Sequence, residues 1–301
     1  MRWRGQRKSN NLEDRRGQQL RSGRTAASGA GLLRLLPLVY RFLGVKGTAV
    51  VVVGLLGYGF FTGNLSGMLG GSVPQSAASS GSSAPVQQSA EEKELVEFVS
   101  VVLANTEETW STLFQKKGLS YQEPRLVLFR DSVKSACGMG QSAMGPFYCP
   151  GDKQIYIDLG FYHQLKHKFK APGDFAQAYV IAHEVGHHIQ TLLGISKKVH
   201  AQRSKLNPVE ANKLSVKQEL QADCLAGVWA FHANHLLEPG DLEEGLTAAS
   251  AIGDDTLQKQ SKGHVSPDSF THGSSAQRVK WFKTGMASGS MDSCNTFAGP
   301  V

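Results

Sequence analysis

The chain has 301 residues, enough for one sizeable domain or two small ones with tails, and its hydrophobic content of 41% is typical of a globular protein. Its formal net charge of +7 originates in residues 1–46, which contain eleven Lys or Arg residues against Glu13 and Asp14. The other residues carry 21 basic and 23 acidic side chains, so they are nearly neutral. This distribution excludes a broadly basic nucleic-acid-binding domain, and it places the basic excess in a tail typical of the cytoplasmic flank of a membrane segment.

That tail has two parts. Residues 1–30 are polar, basic and rich in Gly, Ser, Asn and Gln, so we expect them to be disordered. Residues 31–45 are rich in leucine but are interrupted by two arginines and a proline, which is typical of a segment lying at a membrane surface. We interpret both as parts of a cytoplasmic tail formed by residues 1–46.

Residues 47–66 contain no charged side chain and match, at about 20 residues, the thickness of a bilayer's hydrocarbon core. A buried helix of a soluble domain is one alternative, but a run this rich in Val and Gly forms a soluble helix poorly. A cleaved signal peptide is another, but its basic region would be much longer than usual. We therefore predict a single-pass, uncleaved signal anchor in the cytoplasmic (inner) membrane, with the N-terminus inside.

Residues 67–90 are a Ser-, Ala- and Gln-rich flexible linker, and the folded domain occupies residues 91–301, in the periplasm or outside the cell. Residues 195–214 form a polar crossover, and Ser215 with Gln218 has the form of a capping box that would begin the next helix. Periodic apolar residues predict helices at 94–114, 174–193, 215–234, 241–252 and 275–282, and β-rich runs predict strands at 125–129 and 154–159.

The four cysteines are Cys137, Cys149, Cys224 and Cys294, and none lies in a C-x-x-C pair, which disfavours zinc-ribbon and thioredoxin-type chemistry. An even number of cysteines outside the cytoplasm favours disulfides, and four allow three pairings. We favour Cys137–Cys149, which would close a glycine-rich loop, and Cys224–Cys294, which would tie the C-terminal tail to the core. Four reduced, buried cysteines are the alternative.

The pentad HEVGH at residues 183–187 lies on a predicted helix. Four residues turn a helix by about 400°, so the imidazoles of His183 and His187 leave one face a turn apart, as two ligands of a tetrahedral Zn²⁺ require. Glu184 lies about 100° around from His183, where it can act as a general base without binding the metal. His188 points about 100° away from His187 and is expected to be structural. A surface helix with incidental histidines is the alternative for the pentad.

A catalytic zinc site uses three protein ligands and leaves one position open. Glu219 is the strongest candidate for the third ligand, since it lies 32 residues after His187 in an E-x-x-x-D pattern that ends at Asp223. These two carboxylates share a helix face, and Asp223 is placed to accept a hydrogen bond from the outer nitrogen of His183 and so fix its tautomer. The sequence therefore predicts one Zn²⁺ per chain, held by His183, His187 and Glu219.

Seven stretches that span both ends and most of the domain carry a further pattern: MRWRGQRKSNNLEDRRG (1–17), GPFYCPGDKQIYIDLGFY (145–162), AHEVGHHIQ (182–190), ELQADCLAGVWA (219–230), AIGDD (251–255), SFTHGSSAQRVKWF (269–282) and CNTF (294–297). Together with the HExxH…ExxxD arrangement of gluzincins, they resemble the bacterial neutral zinc metallopeptidase family, the YpfJ-like predicted metalloproteases. The resemblance implies an α+β, zincin-like fold, a zinc cofactor and peptide-bond hydrolysis. It also implies that the strand carrying Tyr156 and Asp158 is an edge strand that pairs with the substrate backbone.

His272 and Arg278 are candidates for stabilising the negative charge that develops on the carbonyl oxygen during peptide hydrolysis. His272 lies in the sequence THGSS, and Arg278 follows six residues later. The alternative is a helix start capped by Ser274 or Ser275, with Arg278 in a structural ion pair. The sequence leaves both interpretations open.

We therefore predict a membrane-anchored zinc metalloendopeptidase in which Glu184 takes a proton from the attacking water and passes it to the leaving amine. Its partners would be a peptide or protein substrate and, through residues 47–66, the membrane, with no nucleic acid. One alternative is a zinc-stabilised envelope binding or assembly module with little activity, although a structural site has no need of the base Glu184. Another is a membrane-anchored interaction protein without a metal, which metal analysis would distinguish.

Overall fold

The computed structural model describes residues 1–18 and 88–299. The predicted surface segment 31–45, the predicted span 47–66 and most of the predicted linker lie outside these residues. No helix in the described part is long and apolar enough to cross a membrane. The elements of the described residues are β1 (Leu12–Asp14), α1 (Ala90–Lys116), β2 (Arg125–Phe129), β3 (Ser132–Ser135), β4 (Gly138–Gln141), β5 (Phe147–Cys149), β6 (Gln154–Asp158), α2 (Gly160–His167), α3 (Asp174–Leu192), α4 (Ile195–Arg203), α5 (Pro208–His232), α6 (Asp241–Ala251), α7 (Asp254–Lys262) and α8 (Ser275–Ser288).

The main sheet has four strands in the order β1-β2-β6-β5, while β3 and β4 form a separate antiparallel hairpin. Strands β1, β2 and β6 are parallel, and β5 runs antiparallel to β6 at one edge. Leu126 and Ile155 face the main helical core, whereas Val127 and Tyr156 face a smaller apolar cluster, so the centre of the sheet is buried on both sides. Both predicted strands are confirmed as β2 and β6, and the mixture of helices and sheet confirms the predicted α+β class.

Residues 1–18, called here the N-terminal segment, are folded onto the domain, so the prediction of disorder is wrong for this part of the chain. Its strand β1 pairs with β2, placing Leu12 opposite Leu126. Trp3 is buried and packs edge-on against Phe98 of α1, with ring centroids 5.5 Å apart. The segment therefore contributes both a strand and apolar side chains to the core.

Several of the basic side chains that suggested disorder are paired with acidic residues of α1. The Arg7 guanidinium lies 3.0 Å from the Glu107 carboxylate and 2.6 Å from the Glu108 carboxylate. These partners lie 100 and 101 residues further along the chain. Local composition alone cannot reveal such pairing, because the rule for disorder counts charges and apolar residues within the segment itself.

The α-ammonium group of Met1 lies among three carboxylates, 2.9 Å from Asp174, 2.9 Å from Glu238 and 3.4 Å from Asp241. Burial lowers the pKa of this amino group, but its hydrogen bonds to Asp174 and Glu238 outweigh burial and raise the pKa to about 10. Asp174 is the first residue of α3. The start of the chain is therefore fixed to the start of the helix that carries the HEVGH pentad.

Helix α5 packs between α3 and α8, and glycines allow the close approach on each side. A Cβ on Gly186 of α3 would lie 2.9 Å from the carbonyl oxygen of Ala222, and one on Gly285 of α8 would overlap the carbonyl oxygen of Cys224. Both favoured disulfides are confirmed, Cys137–Cys149 at the end of β5 and Cys224–Cys294 between α5 and the C-terminal tail.

Helix α5 begins at Pro208, before the predicted start at Ser215. Asn207 is its N-cap, and its side chain accepts a hydrogen bond from the backbone N–H of Glu210 at 3.0 Å. Pro208 occupies the first helical position, where the N–H that proline lacks would have no partner within the helix. The hydroxyl of Ser215 instead donates to the carbonyl of Ala211 within the helix. The predicted crossover at 195–214 also contains helix α4, so its polar composition concealed ordered structure.

Candidate metal centre

The ligand atoms of His183, His187 and Glu219 all lie within 4.8 Å of one another. The Nε2 atoms of His183 and His187 lie 3.2 and 3.3 Å from the same Glu219 oxygen, and the two imidazole planes are perpendicular. One turn of α3 supplies both histidines, and α5 supplies the carboxylate because Gly186 lets the two helices approach. Two imidazole nitrogens and one carboxylate oxygen form a donor set that fits a catalytic Zn²⁺ with a fourth position open.

The electrostatics of this cluster favour a positive charge. Burial lowers the pKa of His183, but the carboxylate of Asp223 outweighs burial and raises the pKa to about 10. Burial likewise lowers the pKa of His187, and Glu219 raises it above the ordinary value. Burial raises the pKa of Glu219, yet the two histidines hold it well below its usual range. A divalent cation bound here would replace the proton charge that the carboxylates attract.

Asp223 organises the side of the cluster that faces the core. It is fully buried, lies 2.8 Å from Nδ1 of His183 and also accepts a hydrogen bond from the Tyr179 hydroxyl. Burial raises the pKa of Asp223, but the charge of Arg278 lowers it to about 2, so the carboxylate stays ionised. An ionised acceptor at Nδ1 keeps the proton on that nitrogen and directs the lone pair of Nε2 towards the metal position.

Arg278 lies next to the metal cluster, and hydrogen bonds to other groups of the protein hold its guanidinium in place. Its guanidinium donates to both oxygens of Asp223, each at 2.9 Å, to the Tyr179 hydroxyl at 3.1 Å and to the carbonyl of Ile252 at 3.2 Å. The side chain is 3% exposed, so it has little free surface for a substrate. This geometry corresponds to the structural ion pair rather than to an oxyanion donor.

The sequence did not identify Gln190, which performs the equivalent function for His187. Its amide oxygen lies 2.9 Å from Nδ1 of His187, and its amide nitrogen donates to the carbonyl of Gln218 at 2.6 Å and to the side chain of Gln221 at 3.1 Å. Gln190 is fully buried, and these two contacts fix its orientation. Its position three residues after His187 on α3 was the available signal, because i and i+3 share a helix face.

Glu184 and His272 line the same cavity, of about 410 Å³, as the three ligand candidates. Glu184 is 7% exposed and leaves α3 beside the histidines without joining the cluster of ligand atoms. His272 approaches from the loop before α8, and its imidazole is about half exposed at 53%. The structure therefore brings the pentad and His272 together in the wall of one cleft.

The loop that carries His272 is held by Asp254, which the sequence did not single out as a site residue. One oxygen of Asp254 accepts the backbone N–H groups of Thr271, His272 and Gly273 at 2.7, 2.6 and 3.0 Å. The other lies 3.4 Å from Nδ1 of His272. The hydrogen bond to Asp254 raises the pKa of His272, which favours the protonated form of this side chain.

The strand that contains Tyr156 and Asp158 is not the edge strand, so that expectation is wrong. Strand β6 lies between β2 and β5. Tyr156 stacks on Phe147 and donates its hydroxyl to Asp152 at 2.8 Å, while Asp158 accepts from the backbone N–H of Asp131 at 3.0 Å. The edge strand next to β6 is β5, whose residues Phe147 and Tyr148 line the cavity.

His188 ties the edge strand to α3 and has no ligand atom in the metal cluster. It is fully buried, and its Nδ1 lies 3.1 Å from the Tyr148 hydroxyl of β5. Its Nε2 contacts the carbonyl of Gln122. Burial lowers the pKa of His188 to about 4, so it stays neutral, donates from Nε2 and accepts from Tyr148.

Comparison with known proteins identifies relatives along the whole chain. A family model described as "Putative neutral zinc metallopeptidase" matches residues 1–297. The "Uncharacterized protein YpfJ" of Escherichia coli (strain K12) is 49% identical over 299 residues, which cover 99% of this chain and 99% of that protein. The "Uncharacterized protein Rv2575" of Mycobacterium tuberculosis (strain ATCC 25618 / H37Rv) is 42% identical over 191 residues, which cover 59% of this chain and 64% of that protein. No solved structure matches the chain.

Proposed function

The chain belongs to this zinc metallopeptidase family, and we propose that it is a membrane-anchored endopeptidase that hydrolyses peptide bonds with a zinc-activated water. The observation that carries the proposal is the convergence of His183, His187 and Glu219 in the cleft that Glu184 also lines. The two histidines and Glu219 would hold one Zn²⁺ per chain. When bound, zinc lowers the pKa of water towards 7 and polarises the substrate carbonyl.

Four side chains perform the remaining steps. Glu184 accepts a proton from the water as its oxygen attacks the carbonyl carbon, and it delivers that proton to the amide nitrogen as the C–N bond breaks. His272, protonated through its contact with Asp254, donates a hydrogen bond to the developing oxyanion. Asp223 keeps His183 in the tautomer that presents Nε2 to the metal.

The free edge of β5 would bind the substrate backbone as an added strand. Its residues line the cleft, and its antiparallel pairing with β6 leaves the opposite edge unpaired in the described residues. Main-chain hydrogen bonds to such an edge bind an extended peptide irrespective of its side chains. A small sheet with this edge beside the HEVGH helix supports the zincin-like assignment of the fold.

The side chains that line the cavity favour an internal, uncharged stretch of peptide. Apolar residues form much of its wall, namely Met144, Phe147, Phe161, Val180, Ile252 and Leu257. Apart from the tyrosines Tyr148 and Tyr179, the titratable groups among the described residues of the wall are the ligand candidates, Glu184, His272 and Arg278. Arg278 is bonded to Asp223, so among the described residues of the wall no lysine or arginine is free to bind a substrate's terminal carboxylate. This arrangement supports cleavage within a chain rather than at its end.

The test compares the full-length wild-type chain with Glu184→Gln in detergent, using a library of peptides whose termini are blocked. We expect cleavage to fall by about 10²–10⁴-fold, because a general base contributes that much to the rate. Zinc content, measured by atomic absorption, should stay near one per chain because Glu184 is not a ligand. Glu210→Gln, on the exposed start of α5, is the matched control and should cleave like wild type. Equal cleavage by Glu184→Gln and wild type would contradict the proposed mechanism.

We further propose that residues 47–66 attach the protein to the cytoplasmic membrane and that the catalytic domain lies in the periplasm or outside the cell. The uncharged run of about 20 residues supports attachment. Two disulfides support an oxidising compartment, since such bonds are rare in the cytosol. The proposed partners are a peptide or protein substrate and the lipid bilayer.

A further inference from the structure

The N-terminal segment and residues 88–299 form one folded unit. The backbone N–H of Leu126 donates to the carbonyl of Asn11 at 2.9 Å, and that of Arg15 donates to the carbonyl of Leu128 at 2.8 Å, so β1 is a full member of the sheet. Ser9 adds a direct backbone contact with α1, because its N–H donates to the carbonyl of Ser100 at 3.1 Å. The family model also begins at residue 1, so the segment is part of the matched unit.

The two described ends that flank residues 19–87 meet on one side of this unit. The Arg16 guanidinium lies 2.7 Å from the carboxylate of Glu92, and Arg16 is completely buried at this contact. Glu92 lies in the first turn of α1, immediately after the N-cap Ser89. The chain therefore leaves the folded unit after Arg16 and returns to it next to the same ion pair.

A bilayer cannot pass between the N-terminal segment and the rest of the unit. Separating them would remove the hydrogen bonds between β1 and β2, expose Trp3, take Glu92 away from the buried Arg16 and leave the buried Glu107 without Arg7. Breaking a buried ion pair by removing one partner is strongly destabilising. A single crossing by residues 47–66 would require that separation.

We propose that residues 1–18 and residues 88–299 lie on the same side of the membrane, and that the chain between them returns to the side from which it leaves. This topology replaces the single crossing with the N-terminus inside that the sequence predicts. It rests on the proposed attachment to the membrane through residues 47–66, but it does not depend on peptidase activity. The basic N-terminal segment then accompanies the catalytic domain, whichever side that domain occupies.

The test uses single cysteines in the full-length chain. The sequence has four cysteines and both disulfides use them, so an added cysteine would be the one free thiol. Gln6→Cys reports on the N-terminal segment and Lys283→Cys on the domain, and both positions are exposed. Spheroplasts with an intact cytoplasmic membrane would be treated with a membrane-impermeant maleimide before and after permeabilisation. We expect both cysteines to react to the same extent before permeabilisation.

Three other results are informative. Labelling of Lys283→Cys before permeabilisation, with Gln6→Cys labelled only afterwards, would overturn the proposal. Labelling of both only after permeabilisation would support a common side and contradict the periplasmic or external location proposed above. Recovery of the protein in the soluble fraction after carbonate extraction would overturn the membrane attachment on which the inference rests.

A second measurement asks whether the segment is packed on the domain in the cell. Lys8 and Glu97 form an exposed ion pair between the segment and α1 at 2.7 Å, so the double variant Lys8→Cys/Glu97→Cys should be bridged by a short bifunctional methanethiosulfonate, whose links to the two thiols are reducible. The expected result is a band of altered mobility on a non-reducing gel that disappears on reduction. Each single variant is the matched control and should not show it. Absence of the band in the double variant, together with labelling from opposite sides, would establish the single crossing.

Discussion

The metal cluster and the start of the N-terminal segment each favour a positive charge beside helix α3 by placing carboxylates around it, but the groups involved lie at different distances along the chain. In the cluster, His183 and Glu219 are 36 residues apart and a metal ion is the expected cation. At the start of α3, the cation is the ammonium of Met1, whose partner Asp174 is 173 residues away. The first arrangement follows from helical spacing within two neighbouring elements. The second exists only because the chain folds back on itself.

The metal cluster and the N-terminal segment also differ in what they contribute to the proposed function. The cluster supplies the proposed chemistry, whereas the N-terminal segment supplies stability and the position of α3. Variants in the metal cluster should therefore change activity with little effect on folding, and variants in the N-terminal segment should change folding stability with little direct effect on the chemistry. The predictions below test that division, in order of decreasing effect.

Trp3→Ala should lower the free energy of unfolding by about 3–5 kcal/mol, because removal of a buried aromatic side chain costs this much. Denaturant titration of the purified chain would measure the change. Asn10→Ala, at an exposed position of the same segment, is the matched control and should lie close to wild type. A Trp3→Ala chain as stable as wild type would show that the segment is not part of the core.

His272→Ala should lower kcat by about 10²–10³-fold, the usual cost of removing one donor to an oxyanion. Bound zinc should remain near one per chain, and the free energy of unfolding should change little, because the imidazole is about half exposed. His264→Ala, at an exposed histidine outside the cleft, is the control. Unchanged turnover in His272→Ala would remove this residue from the proposed mechanism.

Gln190→Ala should weaken zinc binding by about 10–100-fold, the typical effect of losing a partner that orients a ligand histidine. Competition with a chelator of known affinity would measure it. Gln202→Ala, on exposed α4, provides the control. If Gln190→Ala bound zinc as tightly as wild type, His187 would not depend on this contact for its orientation.

The smallest effect concerns the ammonium of Met1, whose pKa is raised from 8.0 to about 10 by folding. An amino group whose pKa is raised by folding contributes its full stabilisation below about pH 8, and this stabilisation is lost as the pH rises through about 10. The thermal midpoint of wild type should therefore fall between these pH values. Asp241→Asn, which removes one of the carboxylates, should show a smaller fall. An equal fall in both chains would mean that the ammonium does not couple to this cluster.

How much of the molecule could be predicted depends on the range of the interactions concerned. Strands β2 and β6 were predicted because their β-branched and aromatic runs are bounded locally, and His183, His187 and Glu219 because the spacing of four residues on a helix is a local rule. The start of α5 was missed although Asn207-Pro208 is a local signal, since the capping box at Ser215 competed with it. Gln190 was missed although it lies three residues after His187, because every helix residue has a neighbour at that spacing, and Asp254 was missed because its contacts with residues 271–273 have no characteristic spacing.

The sequence by itself determined the chemistry of the site: two imidazoles and a general base on one helix, a carboxylate pair on another, and membership of a zinc metallopeptidase family. Only the tertiary structure decided that β5 rather than β6 is the edge strand, that Arg278 is committed to Asp223, and that residues 1–18 belong to the domain. The physical reason is that a helix fixes the relation of residues four apart through its own backbone. Sheet order and buried ion pairs join residues that have no fixed spacing, such as Asp223 and Arg278 at 55 positions apart and Arg7 and Glu107 at 100, and their energy depends on burial that no local pattern records.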